Sequence, residues 1–259
     1  MRSWISISIA FFVYLALVAL LAPRSGSRAR LSAIACSAAG LALCAVAHLS
    51  APSVLLHQWL LPPALLLLGY WTSGLLFAAP MAHLERVLCA VDRAVNVDGA
   101  IRATPGWLRE LLELAYAGVY VLVPVALIIQ LAATDRPDAD RFWAIVLATD
   151  FVCFGFLPWM QTRPPRSLAG ARAWQSRTRG FNLQLLSKAS IQANTFPSGH
   201  AAEAAAAALL VAGAPWPIVA GVAVVALLVS AGAVLGRYHY AADAIAGWVV
   251  AVVVWAVLI

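Results

Sequence analysis

Apolar runs follow one another along the chain and are separated by short polar breaks. Several runs hold about 20 residues, which is enough to cross about 30 Å of hydrocarbon as a helix. Membrane strands would show strict alternation of apolar and polar residues, which is absent here, and backbone groups in lipid must be satisfied internally. The pattern therefore predicts eight helical membrane spans, at about residues 4–22, 31–49, 54–79, 107–133, 142–160, 198–212, 218–235 and 240–259.

One segment between these runs has an amphipathic pattern. Within residues 82–96, the apolar residues that recur at helical spacing are Leu84, Val87, Leu88 and Val91. The charged residues on the opposite side are Glu85, Arg86, Asp92 and Arg93. This pattern predicts a helix that lies on the membrane surface and serves in packing and anchoring.

The composition excludes a soluble globular domain. The chain is 63% hydrophobic and 11% charged, whereas soluble domains are about one quarter charged. The net charge of +6 indicates loops that face anionic lipid or phosphate, and it does not by itself indicate nucleic-acid binding. The four cysteines have no disulfide or metal-site spacing, so we interpret them as small buried hydrophobic residues.

Charge is distributed unevenly among the polar breaks. Basic residues concentrate in residues 23–30 and in a long loop, residues 161–198, whereas the turn at residues 135–140 carries three aspartates. Eight spans would put both basic segments on one side of the membrane. Because basic loops are retained inside, we expect a protein of the cell or inner membrane whose basic side faces the cytoplasm.

His239 and Asp243 stand four residues apart at the start of the last predicted span. Residues at this spacing share one face of a helix. A carboxylate there can accept the proton of one imidazole nitrogen and leave the other nitrogen free, which produces an oriented and more nucleophilic histidine. The alternative is a pair that only caps the last helix.

Ser198, Gly199 and His200 open the sixth predicted span. Serine is suited to cap a helix, and glycine lets a ligand approach the backbone. The free N–H groups of the first turn and the helix dipole form an anion site beside His200. The alternative is a lone histidine at a helix terminus.

Arg163 and Arg166 flank a diproline where the fifth predicted span ends. Two guanidinium groups on a rigid segment are suited to hold phosphate oxygens. The alternative is the ordinary basic end of a membrane helix. The long loop that follows carries several cations and no acid, and connections of this length are typically functional. Lys188, within that loop, is a weaker candidate for phosphate binding.

Two acids lie within apolar runs. Asp150 is near the middle of the fifth span, where an unpaired carboxylate is costly. It is either a hydrogen-bonding group within the bundle or a residue behind the site. Glu203 follows His200 by three residues and is a candidate to tune that histidine or to recognise a polar headgroup.

The order of the spans brings these segments together. In a bundle, the fifth span ends at the face where the sixth begins, and the seventh ends where the eighth begins. Two histidines, an aspartate and arginines would then meet beside a helix N-terminus, a combination typical of phosphoryl transfer. The spacing of histidines and carboxylates predicts no metal, and we expect no cofactor.

These segments resemble the motifs of the type-2 phosphatidic acid phosphatase superfamily. The second motif of that family, Pro-Ser-Gly-His, matches residues 197–200 in full. The third motif ends in His-x-x-x-Asp followed by a glycine, and it is matched by His239, Asp243 and Gly247. The resemblance therefore rests on the complete second motif and on the end of the third.

The chain departs from the family pattern at other positions. The first motif, Lys, six residues, then Arg-Pro, matches only at residues 163–164, and Phe156 holds the lysine position. Ala233 stands where the family has an arginine, and we expect Arg237 to replace it. The Pro-Pro-Arg and Tyr-His-Tyr sequences look like the inositol phosphorylceramide synthase branch, whose members transfer a phospho-headgroup between lipids.

The resemblance implies an all-α fold, a polytopic membrane helix bundle. Its six-helix catalytic core would occupy residues 51–259, and residues 1–50 would form two additional N-terminal transmembrane helices.

The resemblance also implies roles for the site residues. His239 would attack phosphorus and become a phosphohistidine while Asp243 holds its imidazole. His200 would protonate the leaving alkoxide and later activate the acceptor. The phosphate-binding groups expected are Arg163, Arg166, Arg237 and the amides near Ser198 and Gly199.

We therefore expect an integral membrane lipid phosphatase or phosphotransferase that acts on a lipid phosphate or phosphodiester, with water as the favoured acceptor. One alternative is transfer of a headgroup to an alcohol, such as a polyol. A further alternative, suggested by the missing lysine, is a transporter or lipid-binding membrane protein without catalysis.

Overall fold

The computed structural model describes residues 2–21, 26–168, 170 and 173–259. Arg24 and Arg172, which belong to the two basic segments, lie outside these residues. The described part of the chain is all-α and contains no strand. Its α-helices are α1 (Ser3–Leu21), α2 (Ser27–Leu49), α3 (Leu61–Leu75), α4 (Ala82–Ala94), α5 (Val97–Ala103), α6 (Gly106–Ala133), α7 (Ala139–Gly155), α8 (Arg177–Ala189), α9 (Gly199–Leu210), α10 (Trp216–Leu235) and α11 (Ala241–Leu258).

Each predicted span coincides with a helix, so the prediction of a polytopic helix bundle is confirmed. Five helices are long and apolar enough to cross a membrane, namely α1, α2, α6, α10 and α11. α7 has 17 residues, and a π-helical segment, Leu55–Leu60, extends α3 at its N-terminus. α9 has only 12 residues, a length of about 18 Å, so it reaches only part of the way across the hydrocarbon.

α7 is the central helix, because residues all around it are buried. It packs against α1, α3, α9 and α11. Phe11 of α1 stacks on Phe151 of α7, with ring centroids 4.0 Å apart. α2 packs closely on α1 at Gly40, where a Cβ would lie 2.6 Å from the ring of Phe12. The two N-terminal helices are therefore packed onto the bundle that carries the predicted site.

The amphipathic segment forms α4 and α5, and part of its polar side is buried. Glu85 and Asp92 are 6% and 5% exposed, whereas Val87 is 47% exposed. The location of the segment at the membrane surface stays a prediction, and the structure adds that the protein covers two acids of its polar side. The physical reason is that arginines from distant loops neutralise the two carboxylates, which the periodicity of the segment cannot reveal.

The long loop at residues 161–198 also differs from the prediction, because it contains α8. The hydroxyl oxygen of Ser176 caps this helix by accepting a hydrogen bond of 3.0 Å from the Arg179 amide. α8 packs along α6. A segment expected to be irregular is therefore held in place against a membrane-spanning helix.

Glu113 of α6 is the group that attaches α8. Its side chain is fully buried, and its carboxylate accepts hydrogen bonds from four residues. The donors are Trp174 Nε1 at 2.7 Å, Arg179 Nη1 at 2.9 Å, Asn182 Nδ2 at 2.7 Å and Tyr238 OH at 2.5 Å. One carboxylate thus joins α6, the α8 region and the turn between α10 and α11.

We expect Glu113→Ala to lower the free energy of unfolding by about 3 kcal/mol or more, because it leaves the buried Arg179 without its carboxylate. Glu110→Ala is the matched control: this acid is one turn earlier on α6, is less buried, and accepts hydrogen bonds from Arg177 and Thr178. Thermal unfolding in detergent, followed by tryptophan fluorescence, compares the two variants. Equal losses would contradict the special role of Glu113.

Candidate active site

The site is built where α9 packs on α11. A Cβ at Gly247 would lie 2.6 Å from the Ser198 carbonyl oxygen and 3.0 Å from the Ala202 nitrogen, so only glycine allows this approach. The Ser198 amide donates a hydrogen bond of 3.0 Å to the carbonyl of Asp243. The segments that carry the two histidines are therefore joined through their backbones.

The diproline segment is joined to the same place. The Arg166 amide donates to the Arg237 carbonyl at 2.9 Å, and the Tyr240 hydroxyl donates to the Arg163 carbonyl at 3.0 Å. Arg237 has a φ of 61°, so the chain turns sharply just before His239. The three segments singled out in the sequence thus meet at one end of the bundle.

His200 and His239 face each other, with ring centroids 5.7 Å apart. His200 stacks on Tyr116 at 4.9 Å, and its Nε2 lies 3.3 Å from the Tyr120 hydroxyl. Tyr116 in turn stacks on Tyr238 at 4.0 Å. The tyrosine rings fix the plane and position of His200 beside the second histidine.

The Asp243 carboxylate lies beside the imidazole of His239. The Nδ1 atom of His239 lies 3.5 Å from Asp243 Oδ2, and the same oxygen accepts the Tyr240 amide at 2.8 Å. Nδ1 therefore faces the carboxylate, and Nε2 is the nitrogen left for a ligand. Burial and the nearby Arg166 guanidinium lower the pKa of His239 to about 3, so its imidazole is neutral at neutral pH.

A cavity of about 290 Å³ lies beside the histidine pair. Its wall is largely apolar and comes from α3, α6, α7, α8 and α9. Its charged and titratable residues are Arg166, Asp150, Glu203, the two histidines and the tyrosines at 70, 116, 120 and 238. A mostly apolar cavity with a few convergent polar groups is typical of a ligand site.

Of the arginines expected to hold phosphate, only Arg166 lines this cavity. Arg163 is paired with Glu85, through Nε at 3.0 Å and Nη2 at 2.8 Å, and these bonds lower the pKa of Glu85. Arg237 is paired with Asp92 at 2.8 Å and also with Asp98. Buried acids thus hold both guanidinium groups outside this cavity, and phosphate binding by Arg163 and Arg237 stays a prediction.

The remaining candidates are placed as follows. Asp150 and Glu203 both line the cavity. Lys188 is exposed near the end of α8 and is not among the lining residues. The Ser198 amide donates a hydrogen bond to the Asp243 carbonyl, and the Gly199 amide lies 3.4 Å from the Thr195 hydroxyl. Phosphate binding by the amides of this turn stays a prediction.

Sequence reasoning missed the tyrosines and Glu113. Tyr238 is next to His239, so its place in the motif was a usable signal. Tyr116, Tyr120 and Glu113 lie within or near an apolar run, and nothing local to them indicates that α6 faces the histidines. Their role depends on tertiary packing alone.

A family model described as the PAP2 superfamily matches residues 79–257. The chain belongs to this superfamily, whose members are phosphatases or phosphotransferases. Comparison with curated proteins and with solved structures gave no match. Together with the apolar helices, the family supports a multi-pass membrane protein with a phosphatase-type function on lipid phosphate.

We expect Arg166→Ala to weaken binding of vanadate, a phosphate analogue, about tenfold or more, because a hydrogen bond to a charged group contributes about 1.5–3 kcal/mol. Arg163→Ala is the matched control on the same segment. It should change the vanadate dissociation constant about twofold at most and should instead lower Tm, since Glu85 loses its partner. Calorimetric titration in detergent measures both affinities, and an equal loss in the two variants would be the contrary result.

Proposed function

We propose that the protein is an integral membrane lipid phosphatase that works through a phosphohistidine intermediate and needs no metal. The observation that carries the proposal is the pair of histidine rings, 5.7 Å apart, at the wall of a largely apolar cavity that also contains Arg166. This spacing suits two imidazoles on either side of one phosphoryl group. The apolar wall suits acyl chains.

In the first step, Nε2 of His239 attacks phosphorus. The bond between phosphorus and the lipid oxygen breaks, and the protonated imidazole of His200 gives its proton to the leaving alkoxide. Asp243 keeps His239 in the required orientation through Nδ1. Arg166 stabilises the charge that develops on the phosphoryl oxygens.

In the second step, neutral His200 removes a proton from water, and the water oxygen attacks the phosphohistidine. The phosphorus–nitrogen bond breaks, phosphate leaves, and His239 and protonated His200 are regenerated. The charge distribution of the sequence supports a site that faces the cytoplasm in a cell or inner membrane.

An alcohol in place of water is the second candidate. The Pro-Pro-Arg sequence is similar to that of the inositol phosphorylceramide synthase branch, and its arginine, Arg166, is the one that lines the cavity. In that case a polyol or a lipid alcohol would attack the phosphohistidine and take the phosphoryl or headgroup-phosphoryl group.

We expect His239→Ala to abolish turnover of a lipid phosphate and His200→Ala to reduce it by about 10²–10⁴-fold, the usual contribution of a general acid–base. His83→Ala, which changes an exposed histidine on α4, is the control. Release of labelled phosphate by purified protein in mixed micelles measures all three. Normal rates in His239→Ala would overturn the assignment of the nucleophile.

We also expect EDTA to leave the rate of phosphate release unchanged, because the proposed nucleophile is a histidine nitrogen and the reaction needs no Lewis acid. The same assay, repeated with and without added inositol, identifies the acceptor: free phosphate indicates hydrolysis, and a labelled inositol phosphate indicates transfer. Loss of turnover on chelation, restored by a divalent cation, would refute the metal-free mechanism.

A further inference from the structure

Two acids lie in the wall of the cavity, and the proposed phosphoryl transfer does not use them. Asp150 of α7 is 1% exposed, and its Oδ2 has no hydrogen-bond partner among the residues that the structure describes. Glu203 of α9 is half-buried, and within the same described residues it makes no hydrogen bond or ion pair. Buried polar atoms normally have partners. A carboxylate oxygen that lines a cavity without one is therefore suited to take its partner from a ligand.

The acids belong to the same cavity as the histidines but to a different part of it. Glu203 lies one turn further along α9 than His200, about 4.5 Å deeper in the bundle. Asp150 lies across from the start of α9, where its Oδ1 is 3.5 Å from the position of a Cβ at Gly199. Arg166 and His239 lie near the end of the bundle, since both are in the connections between helices.

This arrangement gives the cavity two polar ends of opposite preference. Arg166 attracts the phosphoryl group at the outer end. The carboxyl groups of Asp150, beside the start of α9, and of Glu203, one turn deeper than His200, offer oxygen acceptors to a hydrogen-bond donor. In a lipid phosphate held with its acyl chains in the membrane, the lipid backbone that joins the phosphate to the chains passes these acceptors.

We infer that Asp150 and Glu203 form a subsite for the lipid backbone and select substrates whose backbone carries a hydroxyl or ammonium group next to the phosphate-bearing carbon. The inference rests on the proposed function of the histidine pair and adds the class of substrate. A lipid backbone that carries only ester oxygens offers no hydrogen-bond donor, so it would leave both carboxyl groups unpaired. A site built to bind a donor discriminates strongly against an analogue that lacks it.

The test uses three single-chain lipid phosphates that differ only at the carbon next to the phosphate-bearing carbon, with a hydroxyl, an amino or a methoxy group. For the wild-type protein we expect kcat/KM for the hydroxyl or the amino lipid to exceed that for the methoxy lipid about tenfold or more. Comparison of kcat/KM between the hydroxyl and the amino lipid identifies which hydrogen-bond donor is preferred. A ratio near one for both donors would overturn the inference.

Variants extend the test. Glu203→Met and Asp150→Leu remove the carboxyl groups and keep similar size, and an apolar residue at these buried positions is compatible with a membrane bundle. The ratio between donor and methoxy lipids should fall toward one in both. Asp135→Asn, an exposed acid in the turn before α7, is the matched control and should keep the wild-type ratio. Variants that slow all three lipids equally would show a structural role only, against the inference.

Binding separates this inference from the proposed function. The three lipids are compared for displacement of a fluorescent lipid from His239→Ala, which does not require turnover. The same order of affinity, with the methoxy lipid weakest, supports the subsite. If the wild-type protein turns over none of the lipids, the proposed function is wrong, whereas equal affinities would mean that the subsite is wrong.

Discussion

α9 and α11 touch at the level of their backbones, and Gly247 is the residue that permits this contact. The contact brings the Ser198 amide onto the Asp243 carbonyl, so a main-chain hydrogen bond joins the two segments that carry the histidines. The separation of His200 and His239 is therefore set mainly by backbone geometry. Side-chain packing, chiefly the stack of Tyr116 between His200 and Tyr238, then fixes the orientation of the rings.

Three of the arginines near the site pair with acids, whereas Arg166 lines the cavity. Arg163, Arg179 and Arg237 are each paired with a buried acid of α4 or α6, and such pairs are costly to break because each leaves a charge without its partner. These pairs fasten the connecting segments to the bundle. Arg166 contacts the face of Tyr238 at 5.5 Å, and no carboxylate of the described residues pairs with it. It is thus the cation that remains for an anionic ligand.

The cavity combines features that a lipid phosphate requires in one place. Its wall is mostly apolar, and it is also lined by the two histidines, Arg166 and the carboxyl groups of Asp150 and Glu203. α8 closes part of the wall, and Glu113 holds α8 through Trp174, Arg179 and Asn182. The same carboxylate accepts a hydrogen bond from Tyr238, next to His239, so Glu113 holds both α8 and the segment that carries His239.

The sequence by itself determined the helical membrane fold, the approximate spans and the segments that carry His200, His239 and Asp243. These follow from apolar periodicity and from motifs, which are properties of neighbouring residues. Only the tertiary structure decided that Arg166 lines the cavity while Arg163 and Arg237 do not. It also decided that part of the polar side of α4 is buried and that the loop after α7 contains α8. Each of these outcomes depends on partners far away in the chain, because a buried charge is stable only where folding brings it an opposite charge, and no local pattern records which pairs will meet.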